Sequence, residues 1–410
     1  MTTMEPCHRA NNVKFACGAN CQRDAFVDGW RGLFHLILMM DHLPFLIPLA
    51  SGVLIQWFEP LGYLSVAEGF VFLSGFVSGL VYTRVWRQYG HLAVWRKVLR
   101  RICVIYICYV SAVVLLVALV KYCGSSSVQW GNWQNLLNMP LAMVVTKVVF
   151  LVYQPNFLEI LPMYCFFLLS VPATIRELEK GRYLEIGIIS ILTWLVAQFG
   201  IRDALVGLLS PYVPVQTGYF NSFGWQIVFV LGLLCGHKSF ACRAAWLPSG
   251  WRSVTFVYII CIVLFALRHQ IIPVGIWPPL VDRSSIGPLR FLNFACISFL
   301  LASQRASLQK YVSWPGLAFL SRHSLQVFAF HLIPIYIAAL ALSKAARFSL
   351  SGQWQMAFGF GGATPLSLTF QYLILAFCLG SLFIIAYLAY FWKSILKILL
   401  ARWQNCHFSL

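Results

Sequence analysis

The sequence predicts an all-α integral membrane protein, a bundle of about ten transmembrane helices with both termini in the cytoplasm. Three observations carry this. Only 10% of its 410 residues are charged while 60% are hydrophobic, with a mean hydropathy of +0.77; a soluble domain has about 25% charged residues to cover its surface. The apolar runs are continuous rather than alternating, which disfavours a β-barrel. The cations also sort onto one side of the membrane once those runs are treated as spans.

Each span needs about 20 apolar residues. The runs fall at about 31–56, 61–83, 102–121, 156–175, 183–200, 223–237, 253–268, 287–303, 323–342 and 367–391. A further run at 137–153 is interrupted by Pro140 and Lys147 and reads as re-entrant or interfacial. With the N-terminus inside, 22 of the 30 Lys and Arg face the cytoplasm, the asymmetry that orients multi-pass proteins. The chain thus divides into a cytoplasmic tail (1–24), a polytopic membrane domain (25–395) and a short cytoplasmic C-terminal tail (396–410).

The net charge of +18 fits the positive-inside bias and attraction to anionic lipid better than it fits nucleic acid, which is excluded as a partner. A polyanionic small ligand is a third reading. Most of the 13 cysteines lie inside apolar runs and read as packing residues. Cys7, His8, Cys17 and Cys21 in the tail fit no common zinc spacing, so no metal site is assigned. No permanently bound cofactor is expected.

Ionisable groups inside spans are costly and point to function. Asp28, Arg31, His35 and His42 are spaced i, i+3, i+7 and i+14 and make one polar stripe down the first span. His42 lies about 16 Å deeper than Arg31, near mid-membrane. Asp41 points some 100° away around the helix and is a poor orienter of its neighbour. Glu68 and Glu159 are the carboxylates expected to fix the tautomer of His42; for each, a structural hydrogen-bonded pair is the competing reading. Arg84, Arg87, Arg96, Lys97, Arg100 and Arg101 crowd the first inner loop. That is more charge than orientation requires, and it suits either phosphate recognition or topology alone.

Several motifs accompany these residues: Asp28-Gly29-Trp30-Arg31-Gly32, Asp41-His42-Leu43-Pro44 and Ala67-Glu68-Gly69-Phe70. Gln154-Pro155-Asn156-Phe157-Leu158-Glu159, with Tyr164 shortly after, and Asn221-Ser222-Phe223-Gly224-Trp225-Gln226 follow. Asp282-Arg283, Gly287-Pro288-Leu289-Arg290-Phe291 and Arg322-His323-Ser324-Leu325 complete the set. Together, over residues 23–392, they resemble the membrane acyltransferase type 3 superfamily, and most closely its OpgC-like branch. The sequence departs from the branch at Glu159, Ser222 and Asn293, where Asp, Pro and His are usual.

The resemblance implies an acyltransferase for groups other than amino-acyl groups, working in the bacterial cytoplasmic membrane. Acyl-CoA, as succinyl-CoA or acetyl-CoA, would be the donor and a periplasmic glucan the acceptor, with the bilayer and glucan synthesis or export proteins as surroundings. The catalytic candidates are then His42 as general base with Arg31, Glu68, Asp28 and Asp41. The substrate-binding candidates are the six basic-loop residues with Glu159, Tyr164, Asn221, Trp225, Gln226, Arg290 and His323. Arg290, about one turn inside the eighth span, is either the partner of a succinyl carboxylate or a snorkelling arginine. Transfer is open between a direct route and an acyl-histidine. The competing class is a transporter or a non-catalytic scaffold using the same stripe, and no inverted repeat speaks for it.

Overall fold

The longest apolar runs become the longest helices. The computed structural model describes residues 24–46, 59–124, 132–213, 215–242, 250–348 and 368–407. Among the described residues every regular element is helical, and the bridge between Tyr153 and Gln216 is isolated. Cys7, His8, Cys17 and Cys21 lie outside the described residues.

In chain order the helices are α1 (Ala25–Leu46), α2 (Val66–Cys123), α3 (Trp133–Leu137), α4 (Leu141–Val149), α5 (Ile160–Glu179), α6 (Tyr183–Gln198), α7 (Ile201–Leu209) and α8 (Ser222–Cys242). They continue as α9 (Trp251–Arg268), α10 (Pro288–Ser303), α11 (Arg305–Val312), α12 (Pro315–Arg322), α13 (Ser324–Phe330), α14 (Leu332–Phe348) and α15 (Leu368–His407), with a 3₁₀ turn at Pro278–Val281.

Among the described residues six helices are long and apolar enough to cross a membrane, or eight if each of two bent pairs is one span. The sequence expectation was ten, and two physical features account for the difference. The 58-residue α2 holds both the second and third apolar runs, with a break at Gly90 (φ 76°, ψ −177°). At 1.5 Å per residue it is roughly 87 Å long, far more than one bilayer. α1 is long enough to span, but its Asp28, Arg31, His35, Asp41 and His42 dilute its apolar character. The bent pairs are α6–α7, at 67°, and α10–α11, at 87°.

One local expectation changes and one does not. The basic segment 84–101 is helical on both sides of Gly90 rather than an open loop, so its charges lie on a helix surface. The 137–153 run forms only the nine-residue α4 after Pro140, too short to cross.

Small residues set the closest contact of the bundle. Gly75-x₃-Gly79 on α2 faces Gly232-x₃-Gly236 on α8; a Cβ at Gly75 would lie 2.1 Å from the Phe229 carbonyl oxygen, and one at Gly236 would lie 2.0 Å from that of Phe76. This is the small-x₃-small packing by which membrane helices approach without a hydrophobic driving force. Segments that the charge count assigns to one side also meet. Arg305 pairs with Asp24 at 2.7 Å, and Arg87 pairs with Glu179, which also takes His237 Nε2 at 2.9 Å. At the opposite ends Glu59 meets Arg268 and Arg290.

Candidate active site

The polar stripe of α1 packs on a second polar stripe, contributed by α12, α13 and the break after α13. Gly29 and Gly32 make the approach possible: a Cβ at Gly29 would lie 2.2 Å from the Val312 carbonyl oxygen, and one at Gly32 would lie 2.1 Å from that of Leu317. Along this seam Ser321 Oγ donates to Asp28 at 2.8 Å, His35 Nε2 meets Ser324 Oγ at 2.9 Å, and His42 Nδ1 meets His331 Nε2 at 2.7 Å. Arg31 donates to the Leu73 carbonyl on α2 at 3.4 Å.

The deepest pair fixes its own protons. Proline at 334 has no amide hydrogen and its ring disrupts the turn before it, and the helix breaks between α13 and α14 at His331. There His331 Nδ1 lies 2.5 Å from the Phe328 carbonyl oxygen, which accepts only. His331 Nδ1 therefore carries the hydrogen, and in the neutral ring Nε2 is the acceptor. His42 must then donate from Nδ1, which leaves the lone pair of the neutral His42 ring on Nε2. His42 is buried (9% exposed) and lines a cavity of about 120 Å³.

The rest of the cavity wall comes from α1, the N-terminal end of α2, and the connections before α5 and α8 and around Arg283. Phe157 sits at φ 70°, a strained backbone for a bulky side chain, and its ring edge lies against His42 with centroids 4.5 Å apart. The turn is held from α3: Trp133 Nε1 donates to the Asn156 carbonyl at 2.9 Å, and Asn156 N donates to Asn132 Oδ1 at 2.9 Å. Arg283 is positioned through its neighbours. Asp282 Oδ2 accepts from Ser284 Oγ at 2.8 Å and Ser285 N at 2.7 Å, an Asx-type turn. Trp225 Nε1 donates to the carbonyls of Arg283 and Ser284 at 3.1 and 3.0 Å. Asp41, Glu159, Tyr219, Phe220 and Arg283 line the cavity together with His42.

The sequence model of the family described as OpgC protein matches residues 23–394, which is nearly the entire chain. The chain belongs to the OpgC family. No curated protein and no solved structure matches it. The family is one of membrane acyltransferases acting in glucan modification, and the apolar helices make this member a multi-pass membrane protein.

Against that background, the structure brings some sequence candidates of this OpgC family member together and separates others. His42, Asp41 and Glu159 share the cavity. Asp41 reaches it despite its 100° offset, because the cavity is wider than the stripe. Glu68 does not orient His42. It is fully buried, accepts from Ser65 N at 3.1 Å and from Ser65 Oγ, and takes Arg290 at 2.8 Å. Arg290 is neither a snorkelling residue nor a spare cation: it is buried, bonds Glu59 at 2.6 Å and Glu68 at 2.8 Å, and reaches the Val281 carbonyl. Two carboxylates already neutralise it.

Asn221 caps α8 through Phe223 N and bonds Ser285; Gln226 bonds Ser190 on α6 through both ends of its amide. Tyr164 packs on Phe229, Trp225 is buried under Arg283, and the His323 ring lies beside Phe319 and Tyr390. Of the basic segment, Arg87 is engaged by Glu179 at 3.0 Å, Arg84 is partly buried, and Arg96, Lys97, Arg100 and Arg101 are exposed along α2.

Sequence reasoning missed His331, Tyr219 and Arg283 as cavity or relay groups. His331 had a readable signal, a histidine in an apolar run three residues before a proline. Arg283 was counted as an outer-loop charge, and only the Asx turn at Asp282 brings it inward.

Proposed function

We propose that this protein transfers an acyl group from cytoplasmic acyl-CoA to a hydroxyl of a periplasmic glucan, at the bacterial inner membrane. The observation that carries the reading is the ordered chain from His42 through His331 to the Phe328 carbonyl, which leaves Nε2 as the acceptor of a histidine that lines a cavity. A sugar hydroxyl is a weak nucleophile. His42 Nε2 takes its proton as the oxygen attacks the thioester carbonyl; the tetrahedral adduct then collapses, the C–S bond breaks, and the CoA thiolate leaves with the proton that the His42 imidazolium returns. The imidazolium formed at His42 is stabilised through Nδ1–H by the acceptor nitrogen of His331.

The acyl group in this reading is succinyl. Its free carboxylate needs a cation in a low-dielectric site, and Arg283, not Arg290, lines the cavity. Arg96, Lys97, Arg100 and Arg101 form the exposed basic surface for the CoA phosphates. Glucan synthesis or export proteins would supply the acceptor.

The test is free-thiol release by the purified protein with succinyl-CoA, with and without a β-glucan, and with acetyl-CoA as the competing donor. Release that depends on glucan and yields acylated glucan supports the reading. Absence of acylated product with either donor removes it.

A further inference from the structure

The cavity holds a second acceptor atom that the proton chain does not use. Glu159 is 3% exposed and stands at the N-cap position of α5, yet its side chain makes no capping bond. The backbone amides of Tyr219, Glu159 and Phe157 face the carboxylate, while Oε2 has no hydrogen-bond partner. The fold makes room for this side chain: a Cβ at Gly218 would lie 2.3 Å from the Glu159 Cβ and 3.0 Å from its carboxyl carbon. A buried carboxylate oxygen without a donor costs stability and calls for an explanation.

In its ionised form the carboxylate only accepts, so what completes an ionised Glu159 must be a donor. The acyl end of a thioester has none, and a succinyl carboxylate would be repelled. A sugar offers several hydroxyl donors within one ring. We propose that Glu159 is a specificity-determining residue for the acceptor. Its Oε2 takes a hydrogen bond from a second hydroxyl of the same sugar whose first hydroxyl His42 deprotonates. This rests on the acyltransferase reading above and adds how the acceptor is oriented. One hydroxyl then reacts and its neighbour fixes which one, so an acceptor with a lone hydroxyl is a poor substrate.

The experiment combines Glu159→Gln with a monodeoxy series of a β-glucoside acceptor, reading KM for acceptor and for succinyl-CoA separately. In the wild type, removal of one particular non-reacting hydroxyl should lower kcat/KM by ~10–100-fold, the range for a lost hydrogen bond to a charged group. In Glu159→Gln the parent acceptor should lose about tenfold or more in kcat/KM through KM. The penalty for that same deoxy position should then largely vanish, with KM for the donor unchanged. Equal deoxy penalties in both proteins would overturn the inference, because the effects would be independent. A rise in donor KM instead would also overturn it, and would assign Glu159 to the pantetheine amides. If the wild type acylates no acceptor, the acyltransferase reading itself falls and this inference goes with it.

Discussion

Two buried polar clusters lie within the membrane domain, and they are finished differently. Around Arg290 every strong group is answered: the guanidinium by Glu59, Glu68 and a backbone carbonyl, Glu68 also by Ser65, and Glu59 also by Arg268 at 3.4 Å. Around His42 two atoms are left over, His42 Nε2 and Glu159 Oε2, on residues that line a cavity. A closed network holds helices in place, and an open one awaits a substrate. An ionisable residue in a span is a hint of function, but the hint becomes chemical only where hydrogen-bonding capacity remains.

The comparison can be broken most forcefully at the closed cluster. Arg290→Gln leaves Glu68 without a cation in the protein interior and Glu59 with Arg268 alone, which should cost ~3–5 kcal/mol. A lowered thermal midpoint in detergent would register it. Combining Arg290→Met with Glu59→Gln and Glu68→Gln should restore most of the midpoint. If Arg290→Gln instead leaves the midpoint unchanged and only lowers transfer, the cluster belongs to the site after all.

At the open cluster, His331→Leu removes the acceptor that holds His42 and should lower kcat by ~10–100-fold with little change in either KM. His331→Gln keeps an acceptor for His42 Nδ1–H and a donor for the Phe328 carbonyl, so it should recover much of the rate. Equal activity of the two variants would remove His331 from the orienting role.

The smallest effect is expected at the exposed basic surface of α2. Arg100→Gln with Arg101→Gln should raise KM for acyl-CoA a few fold, and less for a short thioester lacking phosphates, because these side chains are exposed and screened. Equal effects on both donors would contradict phosphate recognition.

The helical membrane fold was legible because composition and long apolar runs report directly on the solvent. The runs at 156–175, 183–200, 253–268 and 287–303 lie within a few residues of α5, α6, α9 and α10. What blurred the span count was polarity in α1 and the helical path on both sides of Gly90 through the basic segment, for which charge alone gives no sign. At the site, His42 was legible from depth and spacing within one helix. Its true partner was not, because His331 is 289 residues away and its tautomer depends on a helix break. Glu68 misled for a related reason: a carboxylate near the right depth says nothing about which way its helix faces, and Arg290 claims it. Arg283 needed the Asx turn and Trp225 to turn an apparent loop charge inward.

The central claim is that His42 is the base whose open nitrogen accepts the sugar proton. The direct measurement is glucan acylation from succinyl-CoA by His42→Ala beside the wild type, at matched amounts of folded, membrane-inserted protein. The account predicts a fall of ~10²-fold or more, with the elution profile and thermal midpoint retained. Acylation within a few fold of the wild type would contradict it.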